Sequence, residues 1–141
     1  MKKMKENYML KICRSKEMRK EKLENLTDKE ESVNQKDRKG NTPLHLACIN
    51  PKINLEVLSS LIDMKADLNL LNFKQQNALS CAFSNKMAKM EHLRFLIEQN
   101  CTLDQHDPTL HLALKKKNCD FEFIKYLIQK NCKIDLIGKK I

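Results

Sequence analysis

Glycine is nearly absent from this 141-residue chain, occurring only at Gly40 and Gly138. Dinucleotide fingerprints and phosphate-cradling loops need several closely spaced glycines, so two isolated ones exclude nucleotide chemistry of those kinds. Tryptophan is missing and aromatics make up only 5% of residues, so a core must come from Leu, Ile, Ala, Met and Cys. That composition favours packed helices over a sandwich or barrel. No apolar run approaches a membrane span, and the stretch from Tyr8 to Cys13 is too short and interrupted for a secretory core. The expected compartment is therefore the cytoplasm or nucleus. In that reducing setting the cysteines at 13, 48, 81, 101, 119 and 132 are expected as small packed thiols rather than disulfides.

What is present is a moderate apolar content of 41% and a formal net charge of +9. The charge is spread: residues 1–40 hold 13 basic and 8 acidic side chains, leaving 14 and 10 for the remainder. A surplus of this kind favours an acidic partner, or weak, salt-sensitive polyanion binding. No basic stripe is interleaved with aromatics, which argues against specific nucleic-acid recognition.

Three segments superpose. Leu55–Ile62, Met90–Ile97 and Phe121–Ile128 share the order apolar, Glu, variable, apolar, two variable, Leu, Ile. Their apolar positions fall on one face at i, i+3, i+4, and Glu56, Glu91 and Glu122 sit where a helix start favours an anion. Each is followed by a similar turn: Lys65 to Asn69, Asn100 to Asp104, and Asn131 to Asp135. The preceding halves match as well, with Thr42-Pro43-Leu44-His45-Leu46-Ala47 echoed from Asn77 and from Pro108. Leu44 to Leu79 is 35 residues and Leu79 to Leu110 is 31. A repeat of this length is one helical unit that buries its apolar face only by stacking on a neighbour.

The run Asp37, Gly40, Thr42-Pro43-Leu44-His45-Leu46-Ala47, closing on Ala66-Asp67-Leu68-Asn69, resembles the ankyrin-repeat signature. The resemblance implies an all-α solenoid of stacked helix-turn-helix units with hairpin fingers. Repeats are expected at about 37–69, 72–104 and 105–135 within a domain of 32–135, with a short tail at 136–141. In the second copy Gln75 replaces the hairpin glycine, and the third is shorter before its first helix, so its finger is expected to be trimmed. Lys65 stands where such turns usually place a left-handed glycine, at a steric cost. Residues 1–31 read as a charged segment in which Met9, Leu10, Ile12, Leu23 and Leu26 could build a degenerate capping helix pair, with a frayed tail as the alternative. Beyond Asp135 a further repeat begins and stops, so Leu127, Ile134 and Ile137 are expected to make this end self-associate or take a partner.

Three chemical constellations yield to that register. Cys101, His106, His111 and Cys119 have zinc-ligand residue types, but His111 corresponds to His45 and Cys101 to the small turn residue Ala66. His45 and Ser80 are equivalents in successive repeats, so they are not partners in a hydrolytic triad. Asn69 resembles a hydroxylated ankyrin asparagine, yet the same residue is an ordinary part of the turn. No catalytic, cofactor or metal site is therefore expected. The resemblance implies a protein-binding adaptor or scaffold working through finger tips and the inner-helix face. The expected contacts are Arg38, Lys39, Phe73 and Lys74 on the fingers, and Asn50, Asn85, Lys115 and Lys116 at inner-helix ends, with an acidic partner anchored on Phe73.

Overall fold

The computed structural model describes residues 7–26, 32–99 and 121–130, and among these every regular element is a helix. Three pairs follow one another: α1 (Tyr8–Arg14) and α2 (Lys20–Glu24), α3 (Pro43–Ile49) and α4 (Leu55–Asp63), α5 (Ala78–Ser84) and α6 (Met90–Glu98). A seventh helix, α7, spans Phe121–Lys130.

Their starts are fixed by side chains. Asn7, Thr42 and Asn77 stand 35 residues apart and cap α1, α3 and α5, each accepting backbone N–H groups of the first turn. Pro43 occupies a first-turn position of α3, where its missing N–H leaves no orphan donor. Asn54 caps α4 through the Val57 N–H at 2.9 Å, and Glu56 and Glu91 lie in the first turns of α4 and α6. α4 ends with Lys65 at a φ of 75°, which lets the Ala66 N–H return to the Leu61 carbonyl at 3.0 Å. That left-handed turn carries the steric cost expected of a side chain there.

The helices form two layers. α1 packs on α3 and α3 on α5, α2 packs on α4, and each pair closes on itself as a hairpin. The core repeats with the sequence: Leu23, Leu58 and Leu93 are all fully buried, and Met18, Ile53 and Ala88 in the loops between paired helices are buried as well. Cys13, Cys48 and Cys81 are buried and form no disulfide, with burial pushing the Cys13 and Cys81 thiols up to about 12. They serve as small apolar filling.

Asparagines join one repeat to the next. Asn50 Nδ2 donates to the Cys13 and Ser15 carbonyls at 2.8 and 2.9 Å, and Asn85 Nδ2 donates to Cys48 and Asn50 at the same distances. Along the outer turns, Asn34 Oδ1 accepts the Asp67 N–H at 2.8 Å. At the other end α7 inserts Phe123, wholly buried, with its ring 6.1 Å from Phe83 and 5.2 Å from the Arg94 guanidinium. Tyr126 also lies under Arg94, at 4.7 Å, and donates to Glu98 at 3.2 Å. These contacts tie α7 to α5 and α6.

Candidate interaction surface

The loops entering α3 and α5 form two fingers built by the same bonds. In the first, the Asp37 carboxylate accepts the Lys39 and Asn41 N–H groups at 2.9 Å, and the Asp37 N–H donates to the Asn41 carbonyl at 2.9 Å. In the second, Asn72 Oδ1 accepts from Lys74 and Gln76 at 2.9 and 3.0 Å, and the Asn72 N–H donates to Gln76 at 2.9 Å. A short oxygen-bearing side chain at the turn's first residue thus satisfies N–H groups that the turn leaves without a backbone partner.

The fingers are bonded to each other. The Phe73 N–H donates to the Lys39 carbonyl at 3.0 Å, Asn72 Nδ2 donates to Asn41 Oδ1 at 2.9 Å, and Lys36 Nζ reaches the Leu71 carbonyl at 2.9 Å. His45 completes the link. The Thr42 N–H donates to its Nδ1 at 3.0 Å, so the ring proton sits on Nε2 and is donated to the Gln76 carbonyl at 2.8 Å. Burial lowers the His45 pKa from 6.5, outweighing the opposing bond to Gln76, and the nearby Lys36 charge pushes the same way. The imidazole is therefore a neutral structural bridge.

Phe73 stands on this platform. Its ring lies so close to Gly40 that a Cβ there would meet ring atoms at 2.6 and 2.9 Å, yet the residue is 68% exposed. Arg38, Lys39 and Lys74 are exposed in the same two fingers, while Asp37 is held by Arg14 at 3.5 Å. The result is an aromatic side chain on a fixed backbone, flanked by cations.

Of the sequence-derived contact residues, the structure groups Arg38, Lys39, Phe73 and Lys74 on the paired fingers. Asn50 needs correction: it is 5% exposed, and its amide is spent on Cys13 and Ser15, so it joins repeats and has no free face to offer. Asn85 makes the equivalent bonds and is half-buried. Lys115 and Lys116 lie outside the described residues, as do the four zinc-like residues and the expected third finger. Among the described residues five further large apolar side chains are exposed that the sequence reading did not single out: Tyr8, Ile49 and Leu71, each 43% exposed, Met87 at 59% and Phe121 at 72%. Ile49 had a signal, because Arg14 and Ser84 at the equivalent positions are polar. Among the described residues no group of three or more His, Cys, Asp or Glu side chains could hold a metal ion, and no helix is long and apolar enough to cross a membrane.

Stacked helix pairs with bonded fingers at one edge define a repeat protein whose surface is laid out along an array. Comparison with known proteins agrees: the family described as "Ankyrin repeats (3 copies)" matches residues 10–107. The chain belongs to the ankyrin-repeat family, whose repeats generally mediate protein–protein interaction and are typically non-catalytic. Among solved structures it is similar to a chain in the complex of a predatory endopeptidase from Bdellovibrio bacteriovorus with an immunity protein. That likeness has a TM-score of 0.70 at 21% identity and covers 87% of this chain and 63% of the other. No curated protein matches the chain.

Proposed function

We propose that this protein is a non-catalytic adaptor that holds an acidic protein segment across its paired fingers. The observation that carries this reading is Phe73: a large apolar side chain, 68% exposed, on a backbone fixed by its bond to Lys39 and its contact with Gly40. Burying such a ring against a partner contributes roughly 1.5–3 kcal/mol, and the rigid platform lowers the ordering cost of doing so. Arg38, Lys39 and Lys74 add steering toward carboxylates more than affinity, because exposed ion pairs contribute little. Lys115 and Lys116 are proposed to extend the same face, and the cytoplasm or nucleus is the proposed setting. The endopeptidase–immunity complex shows a similar fold engaged in a protein assembly, which supports a binding role.

The test is affinity capture from nuclease-treated lysate at physiological salt, comparing the natural chain with the combined variant Phe73→Ala, Lys74→Glu. Circular dichroism first establishes that both are folded. A discrete protein retained by the natural chain and lost by the variant supports the reading. Equal capture by both removes the fingers as the site, and recovery of the chain's own copies alone replaces partner binding by self-assembly.

A further inference from the structure

α1, α3 and α5 each leave through a short loop at the C-terminus, so loops 15–19, 50–54 and 85–89 form a second edge opposite the helix starts and the two fingers that enter α3 and α5. They are held by matching turns: Glu17 N–H to Ser15 Oγ at 2.9 Å, Lys52 N–H to Asn50 Oδ1 at 2.8 Å, and Met87 N–H to Asn85 Oδ1 at 2.9 Å. Met18, Ile53 and Ala88 anchor them in the core. Five exposed cations project from these loops, Lys16, Arg19, Lys52, Lys86 and Lys89, and none makes an ion pair among the described residues. The sole carboxylate in the loops is Glu17, already held by Lys22 at 3.5 Å.

Between the first two loops lies an open hollow of about 510 Å³, lined by Lys16, Glu17, Met18, Arg19, Lys52 and Asn54. Three cations from two repeats, none of them ion-paired among the described residues, thus border one shallow, open surface hollow. We infer that this hollow is a binding site for clustered phosphates, a ligand chemistry distinct from that of the finger edge. The hollow has no aromatic side chain to stack a base. Its one apolar lining residue, Met18, is only 3% exposed, so a peptide's apolar anchor has no seat. A compact polyphosphate needs neither. It concentrates more negative charge per unit length than an acidic peptide, and it suits the guanidinium fork of Arg19 flanked by two ammonium groups. The Asn50 bonds to Cys13 and Ser15 fix one loop against the other, so the backbones carrying the cations are set before a ligand arrives.

The experiment is calorimetric titration of the whole chain with sodium tripolyphosphate at low and physiological salt. The variant Lys16→Gln, Arg19→Gln, Lys52→Gln is compared with Arg38→Gln, Lys39→Gln, Lys74→Gln, which removes the same charge from the fingers. The hollow variant should bind about tenfold more weakly or worse, while the finger variant stays near the natural value, since three cations close around one ligand act at shorter range than screened charges elsewhere on the surface. Equal weakening of both would reduce the effect to net charge and overturn the proposal, as would absence of binding at low salt. Amide shift mapping on the natural chain decides the matter even where a variant folds poorly: changes must centre on 15–19 and 50–54, and a map centred elsewhere defeats the assignment. Vesicles of phosphatidylcholine with and without a phosphorylated inositol lipid identify the source. Binding that tripolyphosphate displaces assigns a headgroup, and no vesicle binding assigns a free polyphosphate.

Discussion

The two fingers make the same bonds with different turn residues. Asp37 and Asn72 each collect two N–H groups, and Gly40 and Gln75 each take a left-handed backbone, with φ of 80° and 63°. Yet only Gly40 carries an aromatic ring against its missing side chain. The turn shape itself tolerates a Cβ at a steric cost, as Gln75 demonstrates, whereas stacking one finger against the next does not tolerate one at Gly40. The demand for glycine thus comes from the neighbouring repeat more than from the local turn.

The sharpest way to break the comparison is to put the same side chain into both turns. Gly40→Val should cost about 1–2 kcal/mol in left-handed strain alone, with a further loss from displacing Phe73, whereas Gln75→Val should cost less because its Cβ is already accommodated. Chemical denaturation of each variant measures the difference, and equal losses would contradict the stacking argument. Next in size is the capping oxygen. Asn72→Ala strands the Lys74 and Gln76 N–H groups and removes the bridge to Asn41, which should cost about 1–3 kcal/mol. Asp37→Ala should cost about 1 kcal/mol, since its carboxylate lies nearer to solvent and its loop is more readily rehydrated. A reversed order would overturn this ranking. The mildest substitution is Gln75→Gly, which should raise the thermal midpoint modestly, relief of about 1 kcal/mol of strain being partly offset by added freedom in the unfolded chain.

The link between fingers also sets a pH response. The His45 pKa is lowered on folding, so as pH falls below 6.5 the unfolded chain binds protons that the folded chain refuses. Stability is fully present above that pH and is lost as pH drops toward the lower folded value. His92, also buried and lowered, acts in the same direction. Melting curves from neutral to mildly acidic pH should show a falling midpoint, with a shallower slope in His45→Asn. An unchanged slope in that variant would exclude His45 as the origin.

Much of the stack was readable because its core obeys one spacing. The stripes of α4 and α6, the cap at Thr42 with its echo at Asn77, and the positions Lys65 and Gln75 where a glycine is usual all follow from residue type at fixed offsets, whereas in α7 the wholly buried Phe123 stands at a position the repeat pattern leaves variable. The N-terminal pair was harder to see. Its second helix has five residues dominated by Lys and Glu, and its membership shows in quiet coincidences such as Asn7 with Thr42 and Cys13 with Cys48. Asn50 misled for a different reason: a polar residue at a helix end reads as solvent-facing unless the backbone carbonyls 35 and 37 residues earlier are known to lie beside it. Phe73 could be picked as exposed from its place in a finger, but its dependence on Gly40 is a contact between repeats that no single-repeat pattern contains.

The uniform offset of the asparagine joints makes the protein interchangeable with itself. Excising residues 43–77 would splice Thr42 to Ala78, leaving Thr42 to cap α5, and would set Asn85 over the Cys13 and Ser15 carbonyls in place of Asn50. A cut that removed only part of a helix pair would take those amides off the carbonyls they bond. Between α1 and α6 the array is therefore divisible in whole units, a grammar written into the stack by one side-chain amide at each of the two described junctions.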